Sequence, residues 1–560
     1  MSNPGTTPIP AIETARRLLG SLITAGVRDV VLSPGSRSAP LAYAIAEYAA
    51  TDRLRVHVRL DERSAGFLAL GLSQGSDRPV AVIVTSGSAV GQLLPAVMEA
   101  NHAATRLLVL SADRPGELHG TGASQTTRQR GLFGDHARAS LNIEAGTDPS
   151  VQVQAALAAL DGDSVQAPGP VQLNIEFRDP LVPEATAELK PDSGTPNQRT
   201  VAPEDPADTL HWTLPEQLAE RRTVVLAGHQ AGPEAQNFAQ ALGLPLLAEP
   251  SSNARSGPNA IAAYRLLLSV MERDIERVVL FGRPTLSRPV NALLARTDIP
   301  SVIWQPHPVA WYEPGRRAQR VITKAEELLQ FAGRAPQGWL ERWQGLDSQT
   351  VTLRAAIDNE PGISGWALAE ELWRTQQGPL LIGSSMVIRD LDLSAMPLEV
   401  SQGPVFANRG LAGIDGTVST ALGLALATGE PTRAVMGDIT FLHDAGALAW
   451  NPEEARPDLD VIVFNDAGGA IFSTLEHGAV QYSGRYGSWV ERLFATPHAA
   501  DLRALAGAYG WDYASVTSRE ELSEVLQTAP SGLRVIEVHG DRAHLRERTA
   551  SLAQAVSELS

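Results

Sequence analysis

The chain has 560 residues, of which 43% are hydrophobic and 19% charged, and its formal net charge is -17. This length exceeds what one hydrophobic core organises and predicts about three domains, while the negative charge argues against a general affinity for nucleic acid or anionic membranes. No cysteine is present, which excludes disulfides, thiolate nucleophiles and cysteine-ligated metals and fits a reducing compartment.

The amino-terminal segment 1–10 has neither the basic nor the apolar region of a signal peptide. No uninterrupted apolar run reaches the roughly 18 residues that span a bilayer, so we expect a cytoplasmic protein with no integral membrane segment. Only Lys190 and Lys324 are lysines, and nearly all of the 46 basic residues are therefore arginines. Neither lysine stands in a Gly-rich loop, which disfavours a P-loop nucleotidase and a Schiff-base enzyme.

Residues 1–182 are predicted to form a first α/β domain. Helical patterns alternate there with short apolar segments, which we predict to be buried strands at 29–32, 56–60, 80–85, 107–110 and 171–175. Small-residue loops follow two of these segments, at 33–38 and 85–89. Such alternation is typical of a doubly wound, mostly parallel sheet, whose ligands bind beyond the carboxyl ends of the strands.

One acid of this domain stands where a predicted strand meets a predicted helix. Glu62 follows the segment 56–60 and opens an apolar helical run to Leu72. The simplest interpretation is an acid that stabilises the positive end of a helix dipole, which is common.

Residues 183–208 are rich in Pro, Thr, Ser and Asp without an apolar period, and we predict a linker. A central α/β domain is predicted at 209–335 and a carboxy-terminal α/β domain at 336–560. Their predicted strands lie at 223–227, 245–248, 277–281, 301–304, 379–382, 433–436, 460–464 and 534–538. The predicted fold class is α/β, with three doubly wound, mostly parallel sheets.

The segment 433–472 carries the strongest functional signal. One strand ends at Gly437-Asp438, and the next is followed by Asn-Asp-Ala-Gly-Gly at 465–469. Strands joined by a helical crossover lie parallel, so Asp438 and Asp466 should meet at one sheet edge. A Gly-Asp pair can be a simple turn. Converging carboxylates beside glycines, however, suit Mg²⁺ carrying a diphosphate, because this ion keeps positions for phosphate and water.

This segment resembles the thiamine-diphosphate motif, in which Gly-Asp after one strand is followed by Asn-Asn after the next. Further segments occur in the order found in one family, at 33–38 (SPGSRS), 61–63 (DER), 111–115 (SADRP), 122–126 (GASQT), 384–390 (SSMVIRD), 407–416 (ANRGLAGIDG), 437–444 (GDITFLHD), 468–472 (GGAIF) and 496–498 (TPH). The chain is similar to the 2-succinyl-5-enolpyruvyl-6-hydroxy-3-cyclohexene-1-carboxylate synthase family of menaquinone biosynthesis, from about residue 12 to residue 540.

The resemblance implies domains of the thiamine-diphosphate-binding type, with thiamine diphosphate as cofactor and Mg²⁺, or alternatively Mn²⁺, as its metal ion. The implied metal ligands are Asp438, Asp466 and the carbonyl of Gly468. Glu62 would be the catalytic acid against the aminopyrimidine ring, sharing a proton with the ring nitrogen. The further implied cofactor contacts are Ile414, Gly437, Ile439, Ile471 and Phe472.

The implied substrates, 2-oxoglutarate and isochorismate, carry carboxylates that the planar fork of arginine matches. The positions that match the family's substrate contacts are Ser385, Arg389 and Arg409 for 2-oxoglutarate, and Ser36, Arg37, Arg114 and Gln125 for isochorismate, with Arg288 as the remaining cation of a basic pair. Taken singly, such an arginine is most often a surface ion pair and Ile414 plain core. We interpret His443 and His498, which lie near motifs, as structural histidines.

The implied reaction is decarboxylation of 2-oxoglutarate and addition of the resulting succinyl carbanion to isochorismate, which would make the chain a transferase. Each active site would combine two subunits, so we expect a homodimer or a dimer of dimers. The chain departs from the family pattern at Asp466 and Ser124, where the family has Asn, and at Pro289, where it has a second cation. Two alternatives stay open: another thiamine-diphosphate decarboxylase or carboligase, such as an acetolactate synthase, and a non-catalytic homologue.

Overall fold

The computed structural model describes residues 8–184, 212–313, 315–359, 362–482 and 484–559. Its strands form three sheets, and every strand pair within them is parallel. The predicted α/β class is therefore confirmed. In the part of the chain that the structure describes, no helix combines the length and the apolarity that crossing a membrane requires.

The first sheet contains six strands, β1 (Asp29–Leu32), β2 (Arg55–Val58), β3 (Val80–Val84), β4 (Leu107–Asp113), β5 (Ser140–Ile143) and β6 (Val171–Glu176). Its helices are α1 (Ala11–Thr24), α2 (Ala39–Ala49), α3 (Glu62–Ser76), α4 (Ser88–Gln92), α5 (Leu94–His102) and α6 (Ser150–Asp161). The strand order is β2-β1-β3-β4-β6-β5. The wholly apolar strand β3 lies inside the sheet, where helices cover both of its faces.

The second sheet contains β7 (Thr223–Ala227), β8 (Leu246–Ala248), β9 (Arg277–Phe281), β10 (Ser301–Trp304) and β11 (Arg320–Ile322), in the order β11-β10-β9-β7-β8. Its helices are α7 (Pro233–Leu242), α8 (Tyr264–Met271), α9 (Arg288–Ala295) and α10 (Ala325–Ala332). The next helix, α11 (Trp339–Ile357), packs against α8 with the buried side chains of Trp339 and Trp343.

The third sheet contains β12 (Leu380–Ile382), β13 (Val405–Phe406), β14 (Thr432–Gly437), β15 (Leu459–Asn465), β16 (Asp512–Val516) and β17 (Leu533–His539). Its helices are α12 (Gly365–Arg374), α13 (Met386–Ser394), α14 (Thr417–Thr428), α15 (Asp438–His443), α16 (Ile471–Thr474), α17 (Glu476–Tyr482), α18 (Gly487–Val490), α19 (Leu502–Ala508), α20 (Arg519–Gln527) and α21 (Leu545–Ser557). The strand order β13-β12-β14-β15-β17-β16 repeats the winding of the first sheet.

Every segment predicted as a strand is a strand, and the four strands that the sequence analysis missed are β5, β11, β13 and β16. All four lie at the edges of their sheets, where a strand is short and partly exposed and so lacks a continuous apolar run. The predicted helical crossover between β14 and β15 is only the short helix α15 and a turn of 3₁₀ helix at Ala445–Leu448. Residues 185–208 of the predicted linker lie outside the described residues, and the domain boundaries stay predictions.

Helices α3 and α14 join the first and third parts of the chain by unusually close backbone packing. A Cβ atom on Gly71 of α3 would lie 2.2 Å from the carbonyl oxygen of Thr420, and one on Gly423 of α14 would lie 2.3 Å from that of Leu68. Neither position has room for a side chain, because backbone atoms rather than flexible side chains block it. The two glycines therefore set the distance between the helices.

We predict that Gly423→Ala lowers the stability of the protein by about 1–3 kcal/mol, because the added methyl group forces the helices apart. The measurement is the Tm of thermal unfolding. The matched control is Gly345→Ala in α11, where a Cβ atom has no neighbour within 4 Å and the change should be neutral or stabilising by up to about 1 kcal/mol. Equal Tm values for Gly423→Ala and wild type would contradict the close packing.

Candidate active site

The loops that carry the predicted metal ligands meet at the carboxyl edge of the third sheet. Strands β14 and β15 are neighbours, and Asp438 follows β14 directly as the first residue of α15. The buried carboxylate of Asp438 accepts hydrogen bonds from the N–H of Gly468 at 2.8 Å and from the N–H of Ile439 at 2.6 Å. The loop after β15 is thus held against the start of α15.

Asp466 lies beside Asp438, and its Oδ1 is buried without a hydrogen-bond partner among the described residues. Burial raises the pKa of Asp466 to about 8, and the charge of Asp438 adds to the rise. Burial also raises the pKa of Asp438, against the effect of its hydrogen bonds. Two crowded carboxylates with an unpartnered oxygen have the chemistry that a divalent cation neutralises.

The donor set also limits what kind of ion fits this edge. No group of three or more His, Asp or Glu side chains within the described ranges is arranged to hold a metal ion. An ion at this edge would therefore combine the two carboxylates with a backbone carbonyl, such as that of Gly468, and with oxygens from phosphate or water. Mg²⁺ is bound in this way, because it dehydrates reluctantly and prefers few protein ligands.

His498 is the second neighbour of Asp438, with its Nε2 3.1 Å from Oδ2 of the carboxylate. The N–H of Ala500 donates to Nδ1 at 3.2 Å. In the neutral ring the proton therefore sits on Nε2 and is donated to Asp438. This is a hydrogen-bonded structural histidine that orients a predicted metal ligand, and the sequence offered no ligand spacing that would reveal the contact.

Glu62 is the first residue of α3, and Asp61 caps the helix by accepting from the N–H groups of Arg63 and Ser64. The next residue, Arg63, donates from Nη2 to the carbonyl of His443 at 2.8 Å. His443 is the last residue of α15. The helix that begins with the predicted catalytic acid thus touches the helix that begins with Asp438.

The other predicted cofactor positions lie at a strand end, in a loop and at the start of a short helix. Gly437 ends β14, and Ile414 is half-buried in the loop that leads into α14. Ile471 and Phe472 open α16 after the double-glycine turn. The ring of Phe472 lies 5.7 Å from that of Phe494, so an aromatic pair packs at the start of α16.

The residues predicted to bind isochorismate gather in the amino-terminal domain. Arg114 donates from Nη1 to Ser86 Oγ at 2.5 Å and to the carbonyl of Gln125 at 2.7 Å, while the side chain of Gln125 donates to the carbonyl of Ser86. Burial and the neighbouring charge of Arg37 lower the pKa of Arg114. Arg37 donates to the carbonyl of Phe177, and Ser36 beside it is exposed. Ser86 is a member of this cluster that the sequence analysis missed.

The residues predicted to bind 2-oxoglutarate gather at a different place, between the second and third sheets. Arg389 of α13 donates from Nη1 to the carbonyl of Ser385 at 2.5 Å. Arg409 is only 3% exposed, and burial lowers its pKa to about 10, with the charge of Arg389 contributing. These two arginines are therefore close and desolvated, a setting that favours a bound anion.

The loop of Arg409 is held from both other domains. Glu99 of α5 accepts from the N–H groups of Gly410 at 2.6 Å and Leu411 at 2.7 Å. Arg283, after β9, donates to the carbonyl of Gly410 at 2.7 Å. The sequence analysis missed both residues, because their partners are distant along the chain and no local motif links them.

Arg288, also predicted to bind substrate, begins α9 at the surface. Its guanidinium pairs with Glu476 at the start of α17, with a shortest N–O distance of 2.5 Å. This hydrogen-bonded pair lowers the pKa of Glu476 to about 2. In this conformation Arg288 links the central domain to α17, and its substrate role stays a prediction.

Two family models match the chain, one in its amino-terminal part and one in its carboxy-terminal part. Residues 12–132 match the model described as thiamine pyrophosphate enzyme, N-terminal TPP binding domain, and residues 395–538 match the corresponding C-terminal TPP binding domain. The first matched range includes Glu62, and the second includes Asp438 and Asp466. The chain thus carries both domains that bind thiamine diphosphate.

Several curated relatives match the chain over nearly its whole length. A protein of Arthrobacter sp. strain FB24 is 53% identical over 99% of this chain and 93% of its own. Proteins of Paenarthrobacter aurescens and Renibacterium salmoninarum are 52% and 51% identical, over 98% and 100% of this chain and 97% and 99% of their own. All three are named 2-succinyl-5-enolpyruvyl-6-hydroxy-3-cyclohexene-1-carboxylate synthase.

The raised pKa of Asp466 predicts a pH-dependent stability in metal-free protein. The unfolded chain releases this proton near pH 4 and the folded protein near pH 8, so the folded protein binds the extra proton between these values. The free energy of unfolding therefore falls as pH rises through this window, by up to about 1.4 kcal/mol per pH unit. We predict that Asp466→Asn removes this loss and has a higher Tm than wild type near pH 8.

The measurement is the Tm of chelator-treated protein at several pH values between about 5 and 8. Glu524→Gln, an exposed acid on α20, is the control and should follow the wild-type pH profile. A constant difference between Asp466→Asn and wild type across the range would contradict a buried titrating carboxyl group.

Proposed function

Because the chain belongs to the 2-succinyl-5-enolpyruvyl-6-hydroxy-3-cyclohexene-1-carboxylate synthase family, we propose that it decarboxylates 2-oxoglutarate and joins the succinyl group to isochorismate. The reaction uses thiamine diphosphate and belongs to menaquinone biosynthesis. The observation that carries the choice of substrates is the pair of arginine clusters, one around Arg114 and one around Arg409, in addition to the carboxylates at the sheet edge.

Asp438, Asp466 and the carbonyl of Gly468 would hold the metal ion, which we propose to be Mg²⁺ with Mn²⁺ as the alternative. The unpartnered Oδ1 of Asp466 and the raised pKa of both carboxyl groups support this proposal. His498 keeps Asp438 oriented by donating from Nε2. A carboxylate at position 466 is as hard an oxygen donor as the family's amide and adds charge next to the ion.

When bound, thiamine diphosphate supplies an electron sink for decarboxylation and carbon–carbon bond formation. Glu62, the first residue of α3, would exchange a proton with the pyrimidine ring. Ile414 would support the cofactor from the loop before α14. Gly437 and Ile439 flank Asp438, and their backbone would line the diphosphate.

Arg389, Arg409 and Ser385 would bind 2-oxoglutarate, whose carboxylate replaces the water that these buried cations have lost. Arg37, Arg114, Gln125 and Ser36 would bind isochorismate. Each charge-assisted hydrogen bond contributes about 1.5–3 kcal/mol, so a few such bonds select dicarboxylic over monocarboxylic substrates. Arg288 would join the isochorismate site after releasing Glu476.

We further propose that two copies of the chain complete each site, in a homodimer or a dimer of dimers. The hydrogen bonds described for Arg37, Arg114 and Gln125 stay within the amino-terminal domain. Leu60, two residues before Glu62, is 78% exposed, and Leu411, two residues after Arg409, is 46% exposed. Contact with a second copy would remove both side chains from water. A cytoplasmic location remains part of this proposal.

The nearest alternative is another thiamine-diphosphate carboligase, such as an acetolactate synthase. The arginine clusters favour the 2-oxoglutarate enzyme over it, because a monocarboxylic 2-oxo acid leaves buried cations without partners. The deciding assay supplies thiamine diphosphate, Mg²⁺ and isochorismate with either 2-oxoglutarate or pyruvate, and identifies the product by mass. Carbon dioxide release from pyruvate but not from 2-oxoglutarate would reject our proposal. No cofactor binding and no turnover would favour a non-catalytic homologue.

We predict that Asp438→Ala loses the rise in Tm that thiamine diphosphate plus Mg²⁺ gives the wild type. The substitution removes a metal ligand, and a ligand stabilises a protein only as far as it binds the folded state. The measurement is thermal unfolding with and without cofactor and metal. A full cofactor-induced rise in the variant would contradict the role of Asp438.

We predict that Glu62→Gln keeps this cofactor-induced rise in Tm and lowers turnover by about 100-fold or more, since the amide cannot exchange the proton. The matched control is Glu520→Gln, which also removes an acid from the first turn of a helix. The control should change stability slightly and turnover not at all. Normal turnover of Glu62→Gln would contradict the catalytic role and leave Glu62 as an acid that stabilises the helix dipole.

A further inference from the structure

Thr285 of the central domain hydrogen-bonds to the guanidinium of Arg409. Arg409 donates from Nε to Thr285 Oγ1 at 3.0 Å and from Nη2 to the carbonyl of Thr285 at 2.9 Å. Its Nη1 lies 3.4 Å from Ser384 Oγ. A guanidinium has five N–H donors, so these contacts leave two for a ligand. Thr285 holds the side edge of the guanidinium and leaves its end free.

Thr285 is itself held by Glu249, which follows β8. One carboxylate oxygen of Glu249 accepts from the backbone N–H groups of Thr285 at 2.7 Å and Leu286 at 3.0 Å. The other lies 2.9 Å from Thr285 Oγ1. Because Thr285 Oγ1 already accepts from Arg409, its single hydrogen is free to point to Glu249. The three groups form one directed chain of hydrogen bonds, from Arg409 through Thr285 to Glu249.

The two ends of this chain of hydrogen bonds, Glu249 and Arg409, are both buried. Glu249 and Arg409 are each 3% exposed, and burial raises the pKa of Glu249 to about 7, against the hydrogen bonds from Thr285 and Leu286. A buried carboxylate is costly unless its oxygens are satisfied, and all three donors described for it belong to the turn at 285–286. Protein groups thus hold the guanidinium in one orientation.

The second arginine of the same cluster is also held from the central domain. Arg265 of α8 donates from Nη1 to the backbone carbonyl of Arg389 at 3.0 Å. The same Nη1 lies 3.5 Å from Asp392, which accepts from the hydroxyl of Tyr264 at 2.6 Å. Both arginines that we assign to 2-oxoglutarate therefore have partners in a domain that carries no cofactor motif.

We propose that Glu249 and Thr285 are positioning residues that aim Arg409 at a carboxylate of the 2-oxo acid, so that the central domain determines selectivity for dicarboxylic 2-oxo acids. This inference rests on the proposed function, because it uses the substrate assigned to Arg409. Neither residue touches the substrate in this proposal. Their effect should therefore appear in substrate affinity and selectivity rather than in cofactor binding.

The test compares Glu249→Gln, Thr285→Val and Thr285→Ser in the full-length protein with saturating thiamine diphosphate and Mg²⁺. We expect the first two to raise KM for 2-oxoglutarate about tenfold to a hundredfold, the range of a lost charge-assisted hydrogen bond. KM for isochorismate and the cofactor-induced rise in Tm should stay at wild-type values. Thr285→Ser keeps the hydroxyl, so its KM for 2-oxoglutarate should equal that of wild type.

The matched control is Glu234→Gln, a partly buried acid of the same domain that accepts from the indole N–H of Trp304. It should leave KM for 2-oxoglutarate unchanged even where it lowers Tm. A KM for Glu249→Gln and Thr285→Val equal to that of this control, or equal increases in KM for both substrates, would overturn the positioning role.

A binding measurement separates this inference from the proposed function. Calorimetric titration of the cofactor-loaded protein with glutarate, a dicarboxylate that cannot react, should give a Kd about tenfold to a hundredfold weaker in Thr285→Val than in wild type. Glutarate binding as tight in Glu249→Gln and Thr285→Val as in wild type would overturn only the role of Glu249 and Thr285. A wild-type protein that neither binds glutarate nor turns over 2-oxoglutarate would overturn the proposed function and, with it, the substrate of Arg409.

Discussion

The backbone contact between α3 and α14 is the constraint on which the arrangement of the site depends. With Gly71 against Thr420 and Gly423 against Leu68, the two helices approach more closely than side chains would allow. A Cβ atom on Gly416, just before α14, would enter the ring of Phe67 in α3. One helix begins at the predicted catalytic acid, and the other follows the loop of Arg409 and Ile414. Changing their distance would move both features at once.

Buried hydrogen bonds align the starts of these helices. Asp444, after α15, accepts from the N–H and the hydroxyl of Ser419 in α14, and lies 3.5 Å from the hydroxyl of Ser64 in α3. Burial raises the pKa of Asp444 to about 6, with the nearby charge of Asp61 opposing its ionisation. A buried acid that bonds two helix starts costs free energy in desolvation. In return, its hydrogen bonds fix the positions of α3 and α14 relative to α15, the helix that begins with Asp438.

The sequence was sufficient for strands whose buried residues form a local apolar run. Buried central strands such as β14 and β15 contain the apolar runs that predicted them, and Asp438 and Asp466 follow these two strands. The strands are confirmed, and the metal-ligand roles of the two acids stay predictions. Edge strands such as β13 and β16 lack that pattern. Glu99, Thr285 and Glu249 also escaped prediction, because their roles arise from contacts between residues more than thirty positions apart. A single sequence records such pairs as ordinary acids and hydroxyls.

The central domain carries no cofactor motif, and in our proposal it acts on substrate choice through the contact of Thr285 with Arg409. A free arginine side chain samples many rotamers, and ordering it on binding costs about 1.5–2 kcal/mol. Thr285 and Glu249 order Arg409 when the protein folds, so the cost is met before a ligand arrives. A residue that acts by fixing another needs only a suitable backbone position and one polar group. It can therefore lie in any domain that packs against the site. Such a residue is recognised from its contacts in the structure and not from a sequence motif.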